Sequence, residues 1–161
     1  MNSFLQKLHT KFYKVYIMHS KQRNRDFCRR CIEIYNDMER AGLVPTIKEV
    51  VRRAIETPAP SYYIDSYYAY TKILALRRTG IDTLPDTPTG RMWREINRKV
   101  ENELRRNPGY IINALTYVLN FCHPSFFPIS MVQGMRIARN AFLFRARYEH
   151  RPRRGKKTIA L

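Results

Sequence analysis

The feature that most constrains the fold is a ten-residue segment that the chain repeats in altered form. Residues 57–66 hold a Pro-Ser step, two adjacent tyrosines and a second serine, and residues 121–130 hold the same pattern with two phenylalanines, 64 positions later. The register extends outward without a gap, so the sequence predicts two tandem copies of one helical unit. Eight pairs are identical: Arg30/Arg94, Ile32/Ile96, Glu39/Glu103, Ile47/Ile111, Pro60/Pro124, Ser61/Ser125, Ser66/Ser130 and Ile73/Ile137.

The charge balance restricts the kind of partner. Among 161 residues, 30 Lys and Arg oppose 13 Asp and Glu, which gives a formal net charge of +17. Such a surface repels itself unless it meets a polyanion, and nucleic acid is the commonest one. A membrane partner is not expected, because no run approaches the length of a transmembrane helix and the N-terminus lacks a signal-peptide core. Three cysteines are too few for a disulfide framework and indicate a reducing compartment.

Apolar residues at helical spacing predict an all-α fold. An amphipathic helix is expected over residues 3–19 with Ser3 as its cap, and a second one over residues 21–41, ended by Gly42. The second begins with many cations, which oppose the helix macrodipole.

The first copy of the unit continues with a short helix and a longer one. Thr46 and Glu49 form a capping box, and Pro58 ends the short helix that follows. Ser61 is expected to cap a third helix that runs to about residue 79.

The second copy follows a turn-rich linker at residues 80–90. Its helices are expected over 91–106, over 110–121, and from Ser125, or from Ser130 if Pro128 delays the start, to about 150. The helix over 110–121 is almost wholly apolar and is expected to be the most buried element. The predicted organisation is 1–79, linker 80–90, 91–150, and a basic tail at 151–161 that is expected to be disordered alone.

A short helix joined by a turn to a following helix is the connectivity of a helix-turn-helix, whose second helix enters the major groove. On this interpretation Ser61, Asp65, Tyr68 and Lys72 face DNA in the first copy. In the second copy, Gln133, Arg136 and Arg139 form the more polar part of the candidate recognition helix. The turn departs from the usual pattern because residues 57–60 contain no glycine. A helical bundle that never touches DNA uses the same short connections.

Basic residues concentrate in three places, around 21–30, at the end of the third helix and over 145–157. Cations there would neutralise phosphates and release counterions. The alternative is a solubilising surface with no specific partner. The candidate nucleic-acid-binding residues are Arg23, Arg25, Arg29, Arg30, Tyr68, Lys72, Arg77, Arg78, Arg136, Arg139, Arg145, Arg147, Arg151, Arg153, Arg154, Lys156 and Lys157.

Tyrosine is abundant, with 11 in the chain and five between Tyr62 and Tyr70. Aromatic side chains among cations form stacking platforms for single strands. The helical spacing of Tyr63, Tyr67 and Tyr70 instead favours a core stripe, which leaves Tyr68 free to stack.

The sequence predicts no metal, no cofactor and no catalytic site. Cys28 and Cys31 form a Cys-x-x-Cys, but both lie in mid-helix, and Cys122-His123 is not a usual ligand pair for zinc. Buried reduced cysteines are the favoured interpretation. No glycine-rich phosphate loop, Ser-His-Asp pattern or paired carboxylates indicate an enzyme.

Residues 46–104 carry a Pro-Ala-Pro-x-Tyr-Tyr string at 58–63, followed by Leu84-Pro85 and Met92-Trp93-Arg94-Glu95. This stretch resembles a group of small basic helical proteins of Bacteroidota and of their phages and mobile elements. The resemblance implies a phage or mobile-element protein that acts on DNA, located in the cytoplasm of a bacterial host or in a virion. The alternatives are a phage structural or packaging component that forms a homo-oligomer or binds an acidic protein or the packed genome, and an RNA-binding protein.

Overall fold

The computed structural model describes the backbone of residues 2–149 and the side chains of residues 17–142. Over these residues the chain is all-helical, with a short 3-10 helix at Ile81–Thr83 and no strand, so the predicted fold class is confirmed. No helix in this part of the chain is long and apolar enough to cross a lipid bilayer. The helices are α1 (Asn2–Arg40), α2 (Ile47–Ile55), α3 (Ser66–Thr79), α4 (Pro88–Arg106), α5 (Ile111–Phe121) and α6 (Met131–Glu149).

The first helix, α1, is continuous over 39 residues, and the predicted division into two helices near residue 20 is wrong. Residues 17–24 contain neither Gly nor Pro, and a single serine costs a helix interior only a few tenths of a kcal/mol. Ser3 accordingly lies inside the helix, and the cations around residue 21 lie far from its N-terminus. The stop at Gly42 is confirmed: its φ is 73°, and Gly42 N–H and Leu43 N–H donate to the carbonyls of Glu39 and Met38.

Side-chain caps set the starts of α2 and α3. Thr46 Oγ1 accepts from Glu49 N–H at 3.2 Å, as the capping box predicts. The predicted Ser61 cap is wrong, since α3 begins at Ser66 and Asp65 is its cap. The Asp65 carboxylate accepts from Tyr67 N–H and from Tyr68 N–H, both at 3.0 Å. Asp65 is therefore a cap and not an outward-facing residue.

The last helix starts late, as expected if Pro128 delays it. Ser130 Oγ accepts from Gln133 N–H at 3.2 Å, and α6 begins at Met131. In both copies the chain therefore stays non-helical for several residues after the Pro-Ser step, and Tyr63 there has φ 56°.

The buried side chains form two cores, and each core takes helices from both sides of residues 80–90. The first core joins α1 and α2 to α6, and the second joins α3 to α4 and α5. The third helix of each predicted copy therefore packs on the first two helices of the other copy. The domain limits 1–79 and 91–150 stay a prediction, and neither core is confined to one of them.

Two non-helical connections carry the chain between the cores in opposite directions: residues 56–65 (the first connection) and residues 122–130 (the second connection). They bond to one another, with Ala59 N–H donating to Pro124 O at 3.2 Å and Phe127 N–H donating to Ile55 O, just before the first connection, at 2.9 Å.

The aromatic pairs are divided between the cores. Tyr62 and Phe126 lie in the second core, whereas Tyr63 and Phe127 lie in the first. Each connection is thus anchored on both sides, which accounts for the recurrence of two adjacent aromatic residues.

The Glu95 carboxylate, on α4, bonds to both connections although the residue is only 8% exposed. Its oxygens accept from Tyr62 Oη at 3.1 Å, from Ser125 N–H at 3.0 Å and from Ser125 Oγ at 2.6 Å. Lys99 Nζ donates to the same carboxylate at 2.7 Å, and also to Tyr62 Oη and His123 O. The buried charge is therefore paired and hydrogen-bonded, as burial requires.

Burial agrees with the repeat register only in part. The pairs 50/114, 51/115, 54/118, 62/126, 63/127 and 73/137 are buried in both copies. The register fails in the first helix of the unit, because the buried Phe27 and Ile34 correspond to the exposed Arg91 and Arg98. The tandem repeat accordingly stays a prediction.

The expectation that the helix over 110–121 is the most buried element is wrong. Ala114, Leu115 and Val118 are buried, but Tyr117 and Phe121 are exposed and stack on each other at 5.3 Å between ring centroids. An apolar composition all round a helix predicts burial, but α5 contacts its neighbours α3 and α4 through one face only.

We expect Gly134→Val to reduce the free energy of unfolding by about 2 kcal/mol, because an added side chain overpacks the contact of α6 with α1 and α2. A Cβ at residue 134 would lie 2.8 Å from Val51 Cγ1 and 3.2 Å from Phe27 Cζ. The matched control is Gly109→Val, where a Cβ meets nothing within 4 Å. Equal losses of unfolding free energy for the two variants in urea denaturation would contradict the packing of α6 on α1 and α2.

We expect Glu95→Gln to cost about 2 kcal/mol of unfolding free energy, since it leaves the Lys99 ammonium without its carboxylate. Urea denaturation measures this loss, and Glu39→Gln on the exposed side of α1 is the control.

The wild type and Glu95→Gln also give a test of the pH dependence of stability. Burial raises the pKa of Glu95, but hydrogen bonds from Lys99 and Ser125 outweigh it and hold the pKa below the ordinary 4.5. The stability contributed by a carboxylate with a lowered pKa is complete above its unfolded pKa and is lost as the pH falls through its folded pKa. The difference between wild type and Glu95→Gln should therefore shrink below about pH 4.5; a difference that grows there would contradict the assignment.

Candidate nucleic-acid interface

Some of the Lys and Arg side chains form ion pairs with Asp and Glu. Glu49 on α2 accepts from both Arg52 and Arg53 at 2.8 Å, and these hydrogen bonds lower the pKa of Glu49 to about 2, so it stays charged. Two of the exposed cations of α2 therefore share one carboxylate, which offsets one of their two charges. The described cations in ion pairs are Arg30, Arg40, Arg52, Arg53, Arg91, Arg94 and Lys99.

Lys21, Arg25 and Arg29 form one stripe on α1. They stand at i, i+4 and i+8, so they share a helix face with about 6 Å between successive Cα positions along the axis. All three are exposed, and none pairs with an acid among the described side chains. The nearby acids are engaged elsewhere: Asp26 accepts from Tyr63 Oη at 2.8 Å, and Glu33 pairs with Arg30. The stripe therefore keeps its full charge.

Arg136 and Arg139 add exposed cations on α6, which packs beside α1. Cys28 Sγ lies 3.9 Å from Ile137 O, and the Tyr35 and Phe142 rings lie 5.2 Å apart, so the two helices contact each other over several turns. Within α6 the single acidic residue is the last one, Glu149. These exposed cations of two neighbouring helices are called the α1–α6 cationic surface, and its members are Lys21, Arg25, Arg29, Arg136 and Arg139.

Several predicted site residues lie elsewhere or have structural partners. Arg30 donates to Thr57 and Glu33, and Arg77 donates to Asn97 Oδ1 at 2.9 Å from a half-buried position. Arg78 is exposed at the end of α3, the helix that packs in the second core. Arg145 and Arg147 lie in α6, and their side chains are outside the described residues. Five further candidates lie wholly outside the described residues: Arg151, Arg153, Arg154, Lys156 and Lys157.

The described helices do not form a helix-turn-helix. In that motif the two helices are joined by a short turn and pack together. Here α2 belongs to the first core and α3 to the second, with residues 56–65 between them. Ser61 Oγ accepts from Tyr63 N–H and Asp65 caps α3, so neither is presented for base contacts. Tyr68 and Lys72 lie on α3, which packs in the second core. Arg136 and Arg139 are exposed on α6, which packs in the first core.

Sequence reasoning missed part of the exposed charge and misplaced one tyrosine. Lys21 was grouped with the basic segment but not chosen as a site residue, although its spacing to Arg25 and Arg29 is a readable signal. Tyr67 is 64% exposed rather than part of a core stripe, because α3 packs through the face that carries Ala69, Ile73 and Leu76. Arg98, Arg105 and Arg106, which the helical spacing of residues 91–106 places on the outer side, are exposed, as is Lys48.

A cavity of about 450 Å³ lies where α1 meets the first connection and the first turns of α3 and α4. The α1 side contributes His19, Ser20 and Arg23. The opposite wall is aromatic, and Tyr68 there lies edge-on to Trp93 with ring centroids 6.2 Å apart. The cavity therefore combines aromatic surface with a cation from the helix that carries the stripe.

The cysteines are free thiols. Cys31 is fully buried in the first core, and burial raises its pKa to about 12; burial also raises the pKa of the half-buried Cys28. Among the described side chains no three His, Cys, Asp or Glu residues cluster as a metal site. A thiol whose pKa is raised reacts slowly, because the thiolate is the nucleophile.

We therefore expect Cys31 to be alkylated by iodoacetamide at neutral pH only as fast as the first core opens, and much more slowly than the half-buried Cys122. Peptide mass spectrometry over time measures both rates in one sample. Labelling of Cys31 as fast as that of Cys122 would contradict its burial.

Comparison of the chain with protein-family models, with curated proteins and with solved structures found no match.

Proposed function

We propose that this protein is a non-enzymatic nucleic-acid-binding protein, and that duplex DNA binds to the α1–α6 cationic surface. The observation that carries the proposal is five exposed cations on two neighbouring helices, none in an ion pair with a described acid, in a chain of net charge +17. A phosphate backbone is the polyanion that such a surface fits. The resemblance to phage and mobile-element proteins is consistent with a ligand of this kind.

The mode of binding proposed is contact with the phosphate backbone rather than base recognition by a helix. Arg and Lys reach phosphates without regard to sequence, and Arg does so with two parallel N–H groups. The separation of α2 from α3 removes the geometric basis for a recognition helix. We therefore expect affinity that depends steeply on salt and weakly on sequence.

A second candidate is a structural or packaging component of a particle that contacts another protein or a second copy of this chain. The observation that favours it is the exposed apolar face of α5, where Tyr117 and Phe121 lie uncovered beside the exposed Tyr110 at its start. Exposed apolar patches of this kind mark protein contacts in many proteins.

The experiment is fluorescence anisotropy of a labelled random duplex across a salt series, with the full-length protein. We expect the triple substitution Lys21→Gln, Arg25→Gln, Arg29→Gln to reduce the slope of log affinity against log salt by about 2 to 3, because each phosphate contact contributes about 0.9. The double substitution Arg136→Gln, Arg139→Gln should reduce it by about 2.

The control has the same loss of three charges at other exposed positions, Lys48→Gln, Arg105→Gln, Arg106→Gln. A further triple substitution, Arg151→Gln, Arg153→Gln, Arg154→Gln, tests the tail. If the control or the tail variant lowers the slope as much as the α1 variant, the α1–α6 cationic surface is not the binding site. A stable complex with structured RNA and none with duplex DNA would favour the RNA-binding alternative.

A further inference from the structure

We infer that the exposed side of α5 pairs with the same side of a second copy of this chain, as two antiparallel helices about a two-fold axis. The exposed residues of α5 and of its start form this surface, called the α5 face: Tyr110, Ile112, Asn113, Thr116, Tyr117, Asn120 and Phe121. The pairing goes beyond the proposed function and needs no nucleic acid, because α5 packs in the second core whereas α1 and α6 pack in the first.

The middle of the α5 face is a continuous row along the helix. Asn113, Thr116, Tyr117 and Asn120 stand at i, i+3, i+4 and i+7, so they follow one another on the same side, and all four are exposed. The opposite side of α5 carries the buried residues and packs on α3 and α4. The row is therefore available to a partner along the whole helix.

Charge decides which partner fits. Residues 107–135 contain no Asp, Glu, Lys or Arg, although these residue types make up 27% of the chain. The α5 face therefore offers no complement to an acidic protein, which would bind to the cationic surfaces instead. Two copies that each carry a net charge of +17 repel each other wherever cations would meet. Through the α5 face they can make contact with no cation between them.

The side chains of the row can pair with their own kind. A two-fold contact brings the same surface of both copies together, so that surface must be self-complementary. Asn and Thr meet this condition, because a side-chain amide and a hydroxyl each donate and accept hydrogen bonds. In an antiparallel pair whose axis passes between residues 116 and 117, Asn113 of one copy lies opposite Asn120 of the other.

Aromatic rings supply most of the contact area. Tyr110, Tyr117 and Phe121 are 78%, 46% and 71% exposed, and since such side chains carry about 200 Å² each, they leave roughly 400 Å² for contact in each copy. Standard interfaces bury about 800 Å² per partner, and weak ones less than about 600 Å². The four other exposed residues bring the α5 face near that lower limit. We therefore expect a dimer in reversible exchange with the monomer.

Salt should act on this contact in the opposite direction to its action on nucleic-acid binding. Added salt screens the repulsion between two cationic chains, so the dimer should strengthen as salt is raised. Contacts with phosphates weaken under the same change, because fewer counterions are released to advantage.

The test is sedimentation of the full-length protein over a range of concentrations, without nucleic acid. We expect the wild type to approach twice the mass of one chain. Tyr117→Glu and Tyr117→Lys should each weaken the dimer by about a hundredfold, because like charges then meet next to the two-fold axis. An equal mixture of the two variants should dimerise again, since opposite charges then meet across that axis.

Two controls accompany the Tyr117 variants. Val44→Glu adds a charge at an apolar residue that is 91% exposed in the turn after α1, and it should leave the dimer unchanged. The triple variant Lys21→Gln, Arg25→Gln, Arg29→Gln should dimerise at least as well as the wild type. Circular dichroism verifies that all variants remain helical.

The outcomes separate the pairing from the proposed function. A wild type that stays monomeric up to the concentrations used for NMR spectroscopy overturns the pairing, leaves the α5 face to a different protein and has no bearing on duplex binding. Dimers that persist in both Tyr117 variants, or variants that do not combine when mixed, overturn it as well. An intact dimer that binds no duplex DNA overturns the proposed function alone.

Discussion

The arrangement of the helices depends on one buried carboxylate, that of Glu95, where two stretches of chain cross. Tyr62 comes from the first connection and Ser125 from the second, and both hydrogen-bond to this carboxylate, with Lys99 supplying the compensating charge. The backbone bonds between Ala59 and Pro124 and between Phe127 and Ile55 hold the crossing from the other side. Each connection decides which core receives the helix that follows it, so the crossing fixes the positions of α3 and α6.

The positions of α3 in the second core and of α6 in the first create both candidate binding features. Because α6 packs beside α1, its exposed Arg136 and Arg139 lie on a helix that neighbours the one with the Lys21, Arg25 and Arg29 stripe. Placing α3 beside the second core brings Tyr68 to Trp93 and forms one wall of the cavity. Had α3 packed on α2 and α6 on α5, neither the cationic surface nor the aromatic wall would have its present members. The proposed contacts thus follow from the crossing that Glu95 stabilises.

Local physics in the sequence predicted the elements well and their partners poorly. Helical periodicity, the Thr46 cap and the glycine stop at Gly42 depend on neighbours a few residues away, and the structure has all three. The continuity of α1 was missed because only the absence of a helix-breaking residue indicates it. The late start of α3 was missed because Ser61 and Asp65 are both acceptable N-caps, and the sequence alone does not choose between them. The pairing of α6 with α1 and α2 depends on contacts a hundred residues apart, such as Cys28 with Ile137. For the site, composition indicated the cations, but their exposure and ion pairs depend on the fold.

The most direct test of the central claim, that the neighbouring helices α1 and α6 form the nucleic-acid surface, is NMR mapping of the full-length protein with a short random duplex. We expect the amide and side-chain signals of residues 21–29 and 136–139 to shift on titration, and the shifts to diminish as salt is added. Signals of α5, including Tyr117, should stay in place. Shifts confined to α5 or to residues 151–161, with the α1 and α6 signals unchanged, would contradict the account.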